Sequence, residues 1–199
     1  MNWHVLPYVL ALYFTAAVAL ALAAIGWRRR PLAGAAPFTF FLLGAAVWIV
    51  CDASQYLASS TADRLFWARL QYVGIATVPL AWLVFAMAYL DKSEWWTTPR
   101  RLLVLIEPLA VQVIVWTNDS HRLFWSSVER VADGPFEVLE YSHGPLFWMH
   151  VAYAYVLMAT AAYLLLRFYR RAAGAHRKQA GALMVAALIP WVANAVYVT

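Results

Sequence analysis

Two carboxyl side chains, Asp52 and Glu107, stand inside long apolar stretches of the sequence, where an ionisable group is costly and usually functional. Glu107 comes immediately before Pro108, and a proline inside a helix leaves a backbone carbonyl without its N–H partner. A carboxyl beside such a bend could contact a ligand, a proton or an ion, or it could bond to a neighbouring helix. Asp52 is predicted to form a structural ion pair with Arg69, because both lie at a similar depth in consecutive apolar segments.

Other polar side chains lie at a comparable depth in several apolar segments. They could line a pocket that opens outward, or they could simply bond to one another between helices. We expect a ligand-binding pocket with Glu107 near its floor. The predicted pocket residues are Glu107, Asp52, Gln55, Gln71, Tyr72, Gln112, Trp116, His150 and Asn194.

The longest polar connection covers residues 118–144 and is rich in aromatic residues. Two partly alternating segments flank Asp133 and Gly134, which predicts either a β-hairpin with its turn at these residues or an irregular loop. A lone hairpin is marginally stable in water, so this segment should lie on the helices as a lid. The predicted lid residues are Asn118, His121, Phe124, Trp125 and Tyr141.

Other kinds of chemistry have little support in the sequence. The histidines have no metal-site spacing, so we predict no metal and no cofactor. The single cysteine, Cys51, excludes an intramolecular disulfide. No glycine-rich phosphate loop and no paired-acid constellation is present, so we predict no catalytic residue and no enzymatic activity in this chain.

The elements that must position these residues follow from the composition. Of the 199 residues, 64% are hydrophobic and 13% are charged, whereas a soluble domain has about 25% charged residues. A soluble enzyme, a disordered tail and a disulfide scaffold are therefore excluded. The predicted fold class is an all-α polytopic membrane protein, a bundle of six transmembrane helices with a small outer hairpin or loop between helices four and five. The predicted spans are residues 6–27, 37–57, 66–90, 102–116, 146–168 and 180–198.

The basic residues alternate between the connections of these spans. Eleven of the 15 Lys and Arg residues lie in the connections after spans one, three and five or, in the case of Arg167, at the adjoining end of span five. The positive-inside rule then makes that side cytoplasmic and places the N-terminus outside, in a multi-pass protein of the inner or plasma membrane. The net charge of +5 therefore reflects topology and gives no support to a nucleic-acid partner.

Four segments resemble, in order and spacing, the N-terminal seven-transmembrane region of bacterial and archaeal histidine kinases. The resemblance implies one transmembrane sensor domain over residues 1–199, with either six spans or a seventh one cut off. It also implies that the kinase activity lies in a downstream cytoplasmic module. The four segments are WARLQYVGIATVPLAWLVFAMAYL (67–90), IEPLAVQVIVWTNDSHRLFW (106–125), HGPLFWMHVAYAYVLM (143–158) and RKQAGALMVAALIPWVANAVY (177–197).

We therefore expect a membrane sensory or receptor domain of a two-component signalling protein of the histidine-kinase type. A small ligand or a membrane cue would be sensed in the outward-facing pocket and relayed to a cytoplasmic output module. The expected partners are the lipid bilayer, an unidentified small ligand, the kinase module and, as an option, a second copy of the chain. The alternative function is a small transporter or channel that uses Glu107 near the midplane.

Overall fold

The computed structural model describes residues 5–134, 136–174 and 176–185, without the side chain of Ser93. Within these ranges the chain is mostly helical, with one small two-stranded sheet, and residues 176–185 are helical as well. The elements are α1 (Leu6–Arg28), α2 (Ala35–Leu57), α3 (Thr61–Tyr89), a 3-10 turn (Ser93–Trp95), α4 (Thr98–Trp116), α5 (Asn118–His121), β1 (Trp125–Asp133), β2 (Phe136–His143) and α6 (Pro145–Arg171).

Four of these helices, α1, α2, α3 and α6, are long and apolar enough to cross a membrane. They match predicted spans one, two, three and five. The helix at the fourth predicted span, α4, begins earlier than predicted, at Thr98, so that Arg100 and Arg101 stand in its first turns. Together with Glu107 they give α4 three charged residues, and α4 is not among the helices whose length and composition suit a membrane span. The predicted sixth span lies outside the described residues beyond residue 185, and so does Asn194.

The helix starts follow local signals in the sequence. Prolines stand in the first turn of α1, α4 and α6, where a missing N–H costs nothing. The hydroxyl of Ser60 accepts a hydrogen bond from the backbone N–H of Asp63 at 3.0 Å and thereby caps α3. Gly34, at a φ of +82°, supplies the left-handed residue that turns the chain into α2.

The longest helix, α3, lies at the centre of the described bundle and packs against α2, α4 and α6. Its closest approach is to α2 at Gly74, where a Cβ atom would overlap the carbonyl of Gly44 and the backbone of Trp48. Small residues at such a crossing let two backbones come together. We therefore regard α3 as the element against which α2, α4 and α6 are positioned, while α1 packs on α2.

The connections divide between two ends of the bundle. At the first, which we call the hairpin end, β1 and β2 pair as an antiparallel hairpin with Asp133 opposite Phe136 and Gly134 in the turn. This confirms the predicted hairpin rather than the irregular loop. The ring of Phe136 packs on Tyr8 and Tyr56 at 5.5 and 5.6 Å, which seats the hairpin on α1 and α2. The opposite end, which we call the basic end, comprises residues 29–34, 90–97 and 172–174.

Candidate functional site

The hairpin is fixed to the end of α4 by the side chain of Asn118. Its Oδ1 accepts hydrogen bonds from the backbone N–H groups of Phe124 and Trp125 at 3.0 and 3.1 Å. Its Nδ2 donates to the carbonyl of Trp125 at 2.9 Å. Asn118 is buried, and all three bonds join its side chain to backbone atoms of Phe124 and Trp125. This predicted lid residue therefore positions the start of β1.

The predicted lid residue His121 also bonds to backbone. Its Nδ1 accepts from the N–H of Leu123 at 3.0 Å, and its Nε2 lies 3.2 Å from the carbonyl of Ile114 in the last turn of α4. A ring nitrogen that accepts an N–H bond carries no proton, so the ring is held in the Nε2–H form. His121 thus satisfies a terminal carbonyl of α4 and orders the chain that leads into β1.

A continuous chain of side-chain hydrogen bonds runs from the hairpin into α2 and α3. The Tyr141 hydroxyl of β2 donates to Oε1 of Gln55 at 3.4 Å. Nε2 of Gln55 donates to Oε1 of Gln71 at 2.8 Å, and Nε2 of Gln71 donates to Oδ1 of Asp52 at 3.2 Å. We call these four residues the polar path. Three predicted pocket residues and one predicted lid residue are brought together in it.

The predicted ion pair between Asp52 and Arg69 is wrong. Arg69 pairs instead with Asp119 in α5, with Nη2 2.5 Å from Oδ1, while Asp52 is bonded by Gln71. The reason is helix geometry, because Arg69 stands two residues before Gln71 and points about 200° away around α3. If Gln71 faces α2, Arg69 must face the side where α4 and α5 pack.

The second predicted acid, Glu107, is paired with a histidine across the α4–α6 contact. Nδ1 of His150 lies 2.7 Å from Oε1 of Glu107, and the His150 side chain is buried. In the described part of the chain, Oε2 of Glu107 is buried with no hydrogen-bond partner. Glu107 therefore bonds to a neighbouring helix, which is one of the two roles that the sequence left open for it.

One turn before Glu107, the proline bend is closed by a residue that the sequence reasoning missed. Pro108 has no N–H for the carbonyl four residues earlier, which belongs to Val104. The Tyr153 hydroxyl of α6 donates to that carbonyl at 2.6 Å. Together with the Glu107–His150 contact, this bond makes a two-point polar tie between α4 and α6. A proline inside a helix indicates that a hydrogen-bond donor must lie near the carbonyl that it leaves free. It does not indicate which residue supplies that donor.

An aromatic layer lies between the polar path and the α4–α6 tie. The ring of Tyr72 contacts Phe124, Trp125 and His150 at centroid distances of 5.0, 5.6 and 5.9 Å. Phe124 is fully buried and also meets Phe147 at 5.7 Å. The predicted pocket residues are thus divided into two polar groups by packed rings, and the ring of Tyr72 belongs to this layer.

The remaining predicted pocket residues do not join either polar group. Trp116 is 41% exposed and packs edge-on against Phe66 at 5.7 Å, on the outside of α4. Gln112 is partly buried on α4. Among the described residues, no group of three or more His, Cys, Asp or Glu side chains could hold a metal ion. A shallow hollow lined by Glu94, Trp95 and Arg100 lies at the basic end, far from both groups.

A cluster of charged residues, Arg64, Arg130 and Glu137, holds the hairpin to the start of α3, and we call it the charged latch. The sequence did not predict this cluster. Arg64, which is buried, donates to the backbone carbonyl of Glu137 and lies 3.5 Å from its carboxylate. Arg130 of β1 also donates to that carboxylate and reaches the carbonyl of Ser59 at 3.4 Å. The bond from Arg130 is the main reason why the pKa of Glu137 lies below its ordinary value. An arginine in the first turn of a span was the available signal.

The structure is that of a multi-pass helical membrane protein. Its helices are apolar and long enough to cross a membrane, polar groups are paired inside the bundle, and a small hairpin lies at one end. The family model for the N-terminal seven-transmembrane region of histidine kinases matches residues 11–199. The chain therefore belongs to that family, as the resemblance in the sequence predicted. This sensor region is not itself the catalytic part of a histidine kinase. Searches among curated proteins and among solved structures gave no significant match.

We expect Tyr153→Phe to destabilise the bundle by about 1–3 kcal/mol, because the Val104 carbonyl would lose its donor in apolar surroundings. In a Pro108→Ala background the N–H of residue 108 can serve that carbonyl, so the cost of Tyr153→Phe should become much smaller. Chemical unfolding of the four proteins of this cycle in detergent micelles measures the coupling.

The matched control for this cycle is Tyr163→Phe, since Tyr163 is 61% exposed on the same helix and should lose little stability. An equal cost of Tyr153→Phe in both backgrounds would show that its hydroxyl does not compensate for Pro108.

The latch should make hairpin attachment sensitive to acid. Because the pKa of Glu137 is lowered in the folded protein, its stabilising effect is complete above the ordinary value of 4.5 and disappears as the pH falls through the lower, folded value. Amide hydrogen exchange in β1 and β2, corrected for intrinsic rates, should therefore speed up as the pH falls below about 4.5.

In Glu137→Gln the exchange should already be faster at neutral pH and should lose this acid step. Glu140→Gln, an exposed change in the same strand, should retain it. An unchanged acid step in Glu137→Gln would assign the transition to another group. Burial lowers the pKa of His143, whose ring stacks on Phe147 at 3.7 Å, below its ordinary value of 6.5. This histidine therefore takes up its proton at a lower pH than an exposed histidine.

Proposed function

We propose that this chain is the sensory domain of a histidine-kinase signalling protein and that it receives its cue at the hairpin end. Membership of the family supports the sensory role. The polar path supports the proposal that the cue is received at the hairpin end. This path connects a residue of the hairpin with a carboxyl inside α2. A change at the hairpin can therefore alter hydrogen bonds among the helices without any ligand penetrating to the centre of the bundle.

The first bond of the polar path is the one that a cue would replace. The contact between Tyr141 and Gln55 is 3.4 Å long, near the limit of a hydrogen bond, while the contact between Gln55 and Gln71 is 2.8 Å. A small molecule with a hydrogen-bond donor could take the place of the tyrosine hydroxyl on Gln55. Such a ligand changes the signal only if it binds one arrangement of the helices better than the other.

The central helix α3 provides a route from this position to α6. Gln71 belongs to the polar path, and the adjacent Tyr72 contacts His150 in α6 through its ring. A rotation or shift of α3 would therefore act on the polar path and on the α4–α6 tie together. In the proposed mechanism this displacement is passed on to a cytoplasmic kinase module.

We further propose that the hairpin end faces outward and the basic end faces the cytoplasm, in agreement with the positive-inside rule. In a Cys51→Ala background, Asp133→Cys in the hairpin should react with a membrane-impermeant maleimide on intact cells. Ala172→Cys, at the basic end, should react only after the cells are opened. The reverse pattern would invert the proposed topology.

The polar path can be tested without knowing the ligand. Tyr141→Phe and Gln71→Leu break different bonds of one path, so both should shift the basal autophosphorylation of the full-length kinase in liposomes severalfold and in the same direction. Thr15→Val, an exposed change on α1, should leave it unaltered. If both path variants fold with normal thermal stability and retain wild-type output, the proposed site of signal input is wrong.

A further inference from the structure

The connection between α3 and α4 places an arginine on an exposed tryptophan at the basic end. The guanidinium carbon of Arg100 lies 5.5 Å from the ring centroid of Trp95, and its Nη1 donates to the Trp95 carbonyl at 3.1 Å. Nε of Arg101 donates to the carbonyl of Trp96 at 2.7 Å. These bonds fix two neighbouring cations in place, and the Trp95 side chain remains 57% exposed.

Within the described part of the chain, both guanidinium groups retain donors that no protein atom accepts. An arginine has five N–H donors in a planar fork that suits a phosphate, and each of these two arginines uses one of them in the bonds described above. With Glu94 and Trp95, Arg100 lines a shallow hollow of about 240 Å³. The exposed Glu94 also lines the hollow and opposes the charge of Arg100. A net positive charge at this surface therefore depends on Arg101, the next residue of α4, which is not part of the lining.

Directly after these arginines, α4 exposes an apolar face. Leu102, Leu103 and Ile106 are 62%, 67% and 61% exposed, and Leu109 continues the exposed surface one turn on. A soluble anion would gain nothing from this face, whereas the acyl chains of a lipid would cover it. The combination of paired cations, an exposed tryptophan and an adjoining apolar face fits an amphiphilic anion.

We propose that this surface, formed by Trp95, Arg100, Arg101 and the exposed face of α4, is a specific binding site for an acidic phospholipid. The phosphate lies against the two arginines and in the hollow, the glycerol backbone lies on the exposed tryptophan, and the acyl chains follow α4. Because α4 is tied to α6 at Glu107 and Val104, the bound lipid also stabilises the helix pair from its basic end.

The experiment measures binding of phosphatidylglycerol to the purified chain by native mass spectrometry, with phosphatidylcholine as the neutral reference. Arg100→Gln/Arg101→Gln should bind phosphatidylglycerol at least about tenfold more weakly, on the basis of the attraction expected for two arginines near an anionic surface. Arg170→Gln/Arg171→Gln removes the same charge from the end of α6 and should keep binding close to wild type.

A third variant has the opposite expected effect. Glu94→Gln removes the acid from the hollow and should strengthen phosphatidylglycerol binding. Soluble glycerol phosphate, which has the same headgroup chemistry without acyl chains, should not compete at millimolar concentration. Thermal unfolding in phosphatidylcholine nanodiscs confirms that all variants are folded.

Two results would overturn the proposal. Equal losses in the two double variants would mean that the basic end attracts acidic lipid only through its total charge. Effective competition by glycerol phosphate would mean that the site takes a free anion and that the apolar face of α4 plays no part.

Discussion

Where a bundle excludes water, a backbone carbonyl that has lost its partner must be satisfied by a neighbouring helix, and Pro108 creates such a carbonyl at Val104. The donor is the hydroxyl of Tyr153, and the adjacent Glu107 meets His150. Both partners lie on α6, one turn apart. The bend in α4 and the polar residues of α6 are thus parts of one arrangement, and neither helix can move alone without breaking a bond.

The central position of α3 follows from the different directions in which its side chains point. Arg64 holds the hairpin latch, Arg69 reaches Asp119 in α5, and Gln71 joins the polar path to α2. Tyr72 belongs to the aromatic layer and contacts His150. These four residues span little more than two turns of α3. One rigid helix therefore connects the hairpin with α2, α5 and α6.

The sequence predicts the helices and the hairpin well because periodic apolar segments and the Asp133–Gly134 turn are local signals. It places Asp52 and Glu107 correctly inside helices but does not give their partners, because the rotation of one helix relative to the next is decided by packing across the interface. The wrong Asp52–Arg69 pair shows this limit, since equal depth is necessary for a contact and says nothing about direction. The start of α4 was also missed, because its first turns are basic rather than apolar.

The separation of the polar groups by packed rings constrains how a signal can travel. A ligand-filled cavity reaching from the hairpin to Glu107 would have to displace Phe124, which is fully buried, and Tyr72, whose ring contacts Phe124, Trp125 and His150. Repacking such rings costs far more than exchanging one hydrogen bond near the surface. For the function proposed above, the less costly route is a small change at Tyr141 that α3 would transmit as a rigid body, with the rings kept in contact. In that proposal the aromatic layer converts a local exchange of hydrogen bonds into a displacement of helices.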